Sequence, residues 1–201
     1  NMKENQKYIY FATGESVDAI DRLPVLELLK DNDFDILYLT DEVDEFCMQS
    51  LMAYNEKELR SVLNDDLGLP EENKEETEEE KSQSEGVVNF IKETLGEQVS
   101  DVVVSKKLKS YPVVLTAKGG VSFEMEKYFA QVNPEGGVKA QRVLEINPNH
   151  ETIKAMMSYI DTDMEKAKSY CQLLLCQAQL MAGLDLDNTA QYSNLVLSLM
   201  K

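Results

Sequence analysis

Apolar and polar positions alternate in two different manners along this chain. Tyr8-Ile-Tyr-Phe-Ala12, Phe34-Asp-Ile-Leu-Tyr-Leu39 and Leu59-Arg-Ser-Val-Leu63 are short runs rich in strand-forming residues. Between them the spacing is helical. Pro24 suits a first helical turn ahead of Val25, Leu26, Leu28 and Leu29. Thr40 or Asp41 is placed to cap a helix bearing Val43, Phe46, Cys47, Leu51 and Met52. Strand, helix, strand, helix, strand predicts parallel pairing with right-handed crossovers, a small βαβαβ sandwich.

The second half is mixed. Val87–Leu95 has a helical period, and Val99–Ser105 and Tyr111–Thr116 read as strands joined by a basic turn. Gly119-Gly120 breaks the chain, and Val121–Val132 is helical again. Gly136-Gly137 marks a loop before a strand at Arg142–Ile146, which Asn147-Pro148 stops. Everything after Asn149 reads as helix. Thr162 with Glu165 forms a capping-box pattern, and Met164, Ala167, Cys171, Leu174, Ala178 and Met181 follow at spacings of three and four. Gly183 is a natural stop, and Asp187 can cap a last helix with Tyr192, Leu195, Val196, Leu199 and Met200 on one face. The fold class expected is therefore α/β followed by α+β, ending in a helical hairpin.

Glu71–Glu85 departs from this pattern, with eight Glu, two Lys and no strongly apolar residue. Such a stretch buries too little surface to offset its ordering entropy and reads as a solvated linker. A charged helix is the alternative, since Glu and Lys are good helix formers. The segment divides the chain into 1–70, a linker at 71–85, and 86–201.

Charge narrows the possible partners. Lys and Arg number 20 against 37 Asp and Glu, a net charge of −17. That excess argues against binding nucleic acid, where phosphates require clustered cations, and against anionic lipid surfaces. No apolar run approaches the ~20 residues of a membrane span, and Asn1–Lys7 has no signal-peptide core. Cys47, Cys171 and Cys176 are an odd count without a CxxC pair, and the five-residue offset of Cys171 and Cys176 on one helix makes them poor disulfide partners, so a reducing compartment is expected. A soluble, cytoplasmic protein is expected.

Candidate chemistry is sparse. His150 is the only histidine, sits beside Asn-Pro at a helix start, and reads as a turn or capping residue. Ala12-Thr-Gly-Glu-Ser16 follows a strand with one glycine, short of a dinucleotide fingerprint or a phosphate loop. No zinc set and no calcium-loop pattern is present, so no metal and no catalytic residue is expected. Two apolar features remain. Val121, Met125, Tyr128, Phe129 and Val132 form one helical stripe, either core-facing or lining a semi-exposed groove whose Met suits varied shapes. Leu173, Leu175, Cys176 and Leu180 lie off the seam of the penultimate helix. They either cover the sheet of the second part or drive two hairpins into a homodimeric four-helix bundle.

Six segments carry a family resemblance in order. They are Tyr8-Ile-Tyr-Phe-Ala-Thr-Gly-Glu-Ser16, Ile36-Leu-Tyr-Leu-Thr-Asp-Glu-Val-Asp-Glu45, Val102-Val-Val-Ser-Lys-Lys-Leu108, Met125-Glu126, Glu145-Ile-Asn-Pro-Asn-His150 and Leu173-Leu-Leu-Cys-Gln-Ala-Gln-Leu-Met-Ala-Gly183. Together they resemble the end of the middle region and the C-terminal domain of the ninety-kilodalton heat-shock chaperones, in their bacterial form. The resemblance implies that 1–70 is the last α/β subdomain of the middle region and 86–201 the dimerisation domain. It also implies that the ATP- and Mg-binding domain lies upstream, so that this portion is not itself an enzyme.

From the family, the dimer contacts would fall on Leu174, Ala178, Met181, Tyr192, Leu195, Val196, Leu199 and Met200. The stripe Val121, Met125, Tyr128, Phe129 and Val132 would face the cleft between protomers and contact unfolded or partly folded client proteins. Cys47 matches a position often Cys in the family and reads as a buried small apolar residue. The ending at Met200-Lys201, without the acidic tail of eukaryotic cytosolic members, fits the bacterial type. A flavodoxin- or Rossmann-like nucleotide-binding domain is the alternative, suggested by the βαβαβ opening.

Overall fold

The computed structural model describes residues 2–3, 5–63, 67–69, 78–133 and 135–200, with side chains from 82 onward in the helix that begins at 78. The described chain forms two compact units, Asn1–Glu71 with Thr116–Gln141, and Glu72–Leu115 with Arg142–Lys201. Residues 116–141, which stand in the second part when the chain is read linearly, group with the first unit.

In the first unit β1 (Ile9–Thr13) leads through α1 (Val17–Asp21) and α2 (Leu26–Asp31) to β2 (Ile36–Leu39). Then follow α3 (Asp44–Leu51), β3 (Ala53–Tyr54) and β4 (Lys57–Ser61). The sheet order is β2-β1-β4-β3, with β1 parallel to both neighbours; Tyr10 faces Ile36 on one side and Arg60 on the other. The expected parallel pairing thus holds for the three main strands. The short edge strand β3, antiparallel to β4, was not expected. It is two residues long, below what alternation can reveal.

Tyr10, Phe11, Ala12, Ile20, Leu26, Leu29 and Val62 are buried in this unit. The buried polar groups of Gln6 and Tyr10 are partnered, as burial demands. Gln6 donates to the carbonyls of Tyr8 and Asp35 at 2.9 and 3.0 Å and accepts from the Asp35 amide at 2.9 Å. The Tyr10 hydroxyl donates to the Leu67 carbonyl at 2.6 Å.

The second unit opens on α4 (Glu78–Leu95), so helix occupies the later part of the acidic segment; the linker reading of 71–77 lies outside the described residues. Val87, Ile91 and Leu95, four apart on α4, are all buried. β5 (Asp101–Val104), β6 (Val113–Lys118) and β7 (Gln141–Ile146) form a sheet in the order β5-β7-β6. β5 and β6 are therefore not neighbours across their basic turn: β7 arrives later in sequence and pairs parallel to β5. The division between the units falls within β6 and at the start of β7.

Three helices complete the second unit: α6 (Glu151–Ile160), α7 (Met164–Met181) and α8 (Thr189–Leu199). Helix α7 packs against α4, α6 and α8. His150 caps α6, its Nδ1 accepting from the Thr152 amide at 3.1 Å. Two expected caps move by one residue. Asp163, not Thr162, caps α7 by accepting from the Lys166 amide, while the Thr162 hydroxyl donates to the Ser158 carbonyl. Asn188, not Asp187, caps α8 by accepting from the Gln191 amide. Gly183 stops α7 with a φ of 67°.

Candidate functional site

The first candidate surface is built on α5 (Phe123–Val132), in the first unit. Gly119 and Gly120 both take positive φ, 88° and 84°, which turns the chain sharply after β6. Ser122 then starts the helix, its hydroxyl accepting from the Met125 amide at 3.2 Å. Phe123 is the one buried residue of α5, 2% exposed. The stripe lies elsewhere on the helix. Val121, Met125, Tyr128 and Phe129 are half-buried, and Val132 is 65% exposed.

Helix α3 supplies the neighbour of that stripe. The Phe46 ring meets Tyr128 edge-on at 5.2 Å and Phe129 at 5.9 Å, and Tyr128 and Phe129 themselves lie 6.0 Å apart. Edge-to-face contacts of this kind hold the rings in place while leaving part of each surface in water. Phe46 belongs to the site although its sequence position marked it only as helical and apolar.

A cavity of about 250 Å³ adjoins the trio, with Tyr128 in its wall. Five carboxylates, Glu15, Asp41, Glu42, Glu45 and Glu124, line it against one ammonium, Lys127. Lys127 pairs with Glu124 at 2.7 Å and Glu15 at 3.6 Å. Glu45 is 2% exposed and accepts from the Thr13 hydroxyl at 2.7 Å and the Gln49 amide at 3.2 Å. The acidic run of 41–45 hid this inward carboxylate among surface charges. Its inward position also corrects the reading of Cys47, which is exposed. Two residues along a helix is a rotation of about 200°, so burying Glu45 turns Cys47 outward.

The second candidate surface is at the chain's last helices. Leu174 and Ala178 are buried in their own chain, 3% and 1% exposed, and as placed leave no surface for a second molecule. Their seam is filled by α7's packing within the unit. Met181, Tyr192, Leu195, Val196 and Leu199 are half-buried, and Met200 is 78% exposed. Helix α8 contains no buried residue although its sequence is largely apolar. Leu197 at 58% and Leu180 at 47% add to the uncovered surface.

Among the described residues no group of three His, Cys, Asp or Glu side chains could hold a metal ion. His150 is occupied as a cap. Burial pushes the Cys171 thiol up to about 12, and Cys176 is raised for the same reason, so neither is an activated nucleophile. No helix among the described residues is long and apolar enough to cross a membrane.

The described residues thus leave two partly exposed apolar surfaces, on α5 and on α8, on a strongly acidic chain. A family model described as Hsp90 protein matches residues 1–201, and the chain belongs to the Hsp90 family of heat-shock chaperones. Among its relatives, the Chaperone protein HtpG of Oceanobacillus iheyensis is 46% identical over 193 residues, 96% of this chain and 31% of that protein. The Chaperone protein HtpG of Clostridium perfringens is 44% identical over 200 residues, and that of Bacillus subtilis 41% over 200. The chain thus spans about a third of the length of these relatives, 32% for the latter two.

Proposed function

We propose that this chain is the dimerisation and client-binding portion of an ATP-dependent chaperone that assists protein folding. The observation that carries the reading is α8, an apolar helix with no buried residue in the single chain. Such a face is covered most economically by the same face of a second copy, α7 and α8 of each chain forming a four-helix bundle. Met181, Tyr192, Leu195, Val196, Leu199 and Met200 would supply the contacts, and Leu174 and Ala178 would support them from beneath. The pairing tethers two chains, so that upstream closure driven by ATP and Mg in the longer protein becomes intramolecular. The nucleotide step is assigned to the part of the relatives that this chain does not span. The stripe Val121, Met125, Tyr128, Phe129 and Val132 with Phe46 would offer unfolded clients an adaptable apolar surface.

The flavodoxin-type alternative is not favoured, given family membership and a single glycine, Gly14, in the turn after β1. Light scattering at micromolar concentration should return twice the 22.8 kDa of one chain. Replacing Leu195 and Leu199 by Glu should release monomers while hydrogen exchange of β1 and β4 stays unchanged. A wild-type chain that scatters only as a monomer would refute the dimer. Exchanging Met125 and Phe129 for Ser should weaken capture of a chemically unfolded protein and leave the dimer intact.

A further inference from the structure

The α3–α5 surface carries two chemistries side by side, and one residue belongs to both. Tyr128 is a member of the edge-to-face trio and also a wall of the acidic cavity. The charge in that cavity is unevenly used. Lys127 is already engaged by Glu124 and Glu15, and Glu45 is buried on Thr13 and Gln49. Asp41 and Glu42 are exposed and enter no ion pair among the described residues. A cation entering the cavity would meet two uncommitted carboxylates and the π system of Tyr128, while an anion would be repelled.

We propose that this surface selects extended polypeptide segments in which Lys or Arg adjoins an aromatic or long aliphatic residue. The apolar side chain would lie on Phe46, Tyr128 and Phe129, and the basic one would enter the cavity beside them. The inference rests on the client-binding reading above and adds a charge preference to it. A chain of net charge −17 attracts any cation at long range, but that attraction is screened beyond about 8 Å at physiological salt. The local carboxylates are what would distinguish neighbouring segments of one client.

Fluorescence anisotropy with the full 201-residue chain tests this. The probes are labelled peptides of identical Phe and Leu content with Lys, Ser or Glu at alternate positions. The Lys peptide should bind about tenfold more tightly than the Ser peptide at physiological salt, and the Glu peptide most weakly. Asp41→Asn with Glu42→Gln should shrink the Lys-to-Ser ratio to about threefold or less. The same charge change at exposed sites in the other unit, Glu97→Gln with Asp161→Asn, should leave the ratio as it was. An equal drop in the control pair would reduce the preference to net charge and overturn the proposal. Three peptides binding alike, all weakened by Phe129→Ser, would also overturn it while sparing the client-binding reading. Peptides that ignore Phe129→Ser would sink the client-binding reading itself.

Discussion

Phe123 and Phe129 lie six residues apart on one helix and should respond very differently to truncation. Phe123 is 2% exposed; removing its ring leaves a cavity, and such core Phe→Ala changes cost about 3–5 kcal/mol. Phe129 is half-buried, and its attachment is two edge-to-face contacts, to Phe46 at 5.9 Å and Tyr128 at 6.0 Å. Each such pair contributes about 0.5–1.5 kcal/mol, and the site is open enough for water to refill it. Phe129→Ala should therefore cost about 1–3 kcal/mol. With a urea slope of about 2 kcal/mol/M, Phe123→Ala shifts the midpoint by roughly 2 M and Phe129→Ala by about 1 M. Because the chain holds two compact units, far-UV circular dichroism should be paired with hydrogen exchange on β1 and β4. Equal losses from both variants would make the stripe part of the core and would refute a surface role for it.

Asp163→Ala should cost about 1 kcal/mol through its lost cap, and Thr162→Ala clearly less, read from thermal midpoints. Lys107 and Glu145 pair at 3.6 Å with side chains only 12% and 11% exposed, and Ser105 donates to the same carboxylate at 2.6 Å. Lys107→Met strands that carboxylate and should cost about 3 kcal/mol in urea titration. In the native protein Cys47 should react with a thiol reagent and Cys171 should not until unfolding. The folded Cys171 thiol sits at about 12 against an ordinary 9.0, so the unfolded chain ionises first. Stability should hold below pH 9 and fall as pH rises towards 12, and Cys171→Ala should flatten that fall.

Much of the fold was legible in the chain because the signals were local. The parallel strands β1, β2 and β4 announced themselves as separate apolar runs, and α7 ended where Gly183 lies. His150 read as a capping residue and is one. The caps at Thr162 and Asp187 were each displaced by a residue. A capping pattern names residues able to accept, while the backbone angle decides which of two adjacent acceptors reaches the amide. Phe46 joined the site only by packing on α5, and Glu45 turned inward only because Thr13 and Gln49 meet it there.

Periodicity and composition determined most of the helices and the main strands, and that two apolar helical faces sit within a strongly acidic chain. They also left a single histidine and no CxxC pair from which the familiar histidine- and cysteine-based sets could be drawn. Only the tertiary structure decided strand order, the grouping of 116–141 with the first unit, and which faces of α5, α7 and α8 stay uncovered. Spacing along a helix places side chains on a common face, but burial depends on what packs there. That packing is contributed by residues far away in sequence.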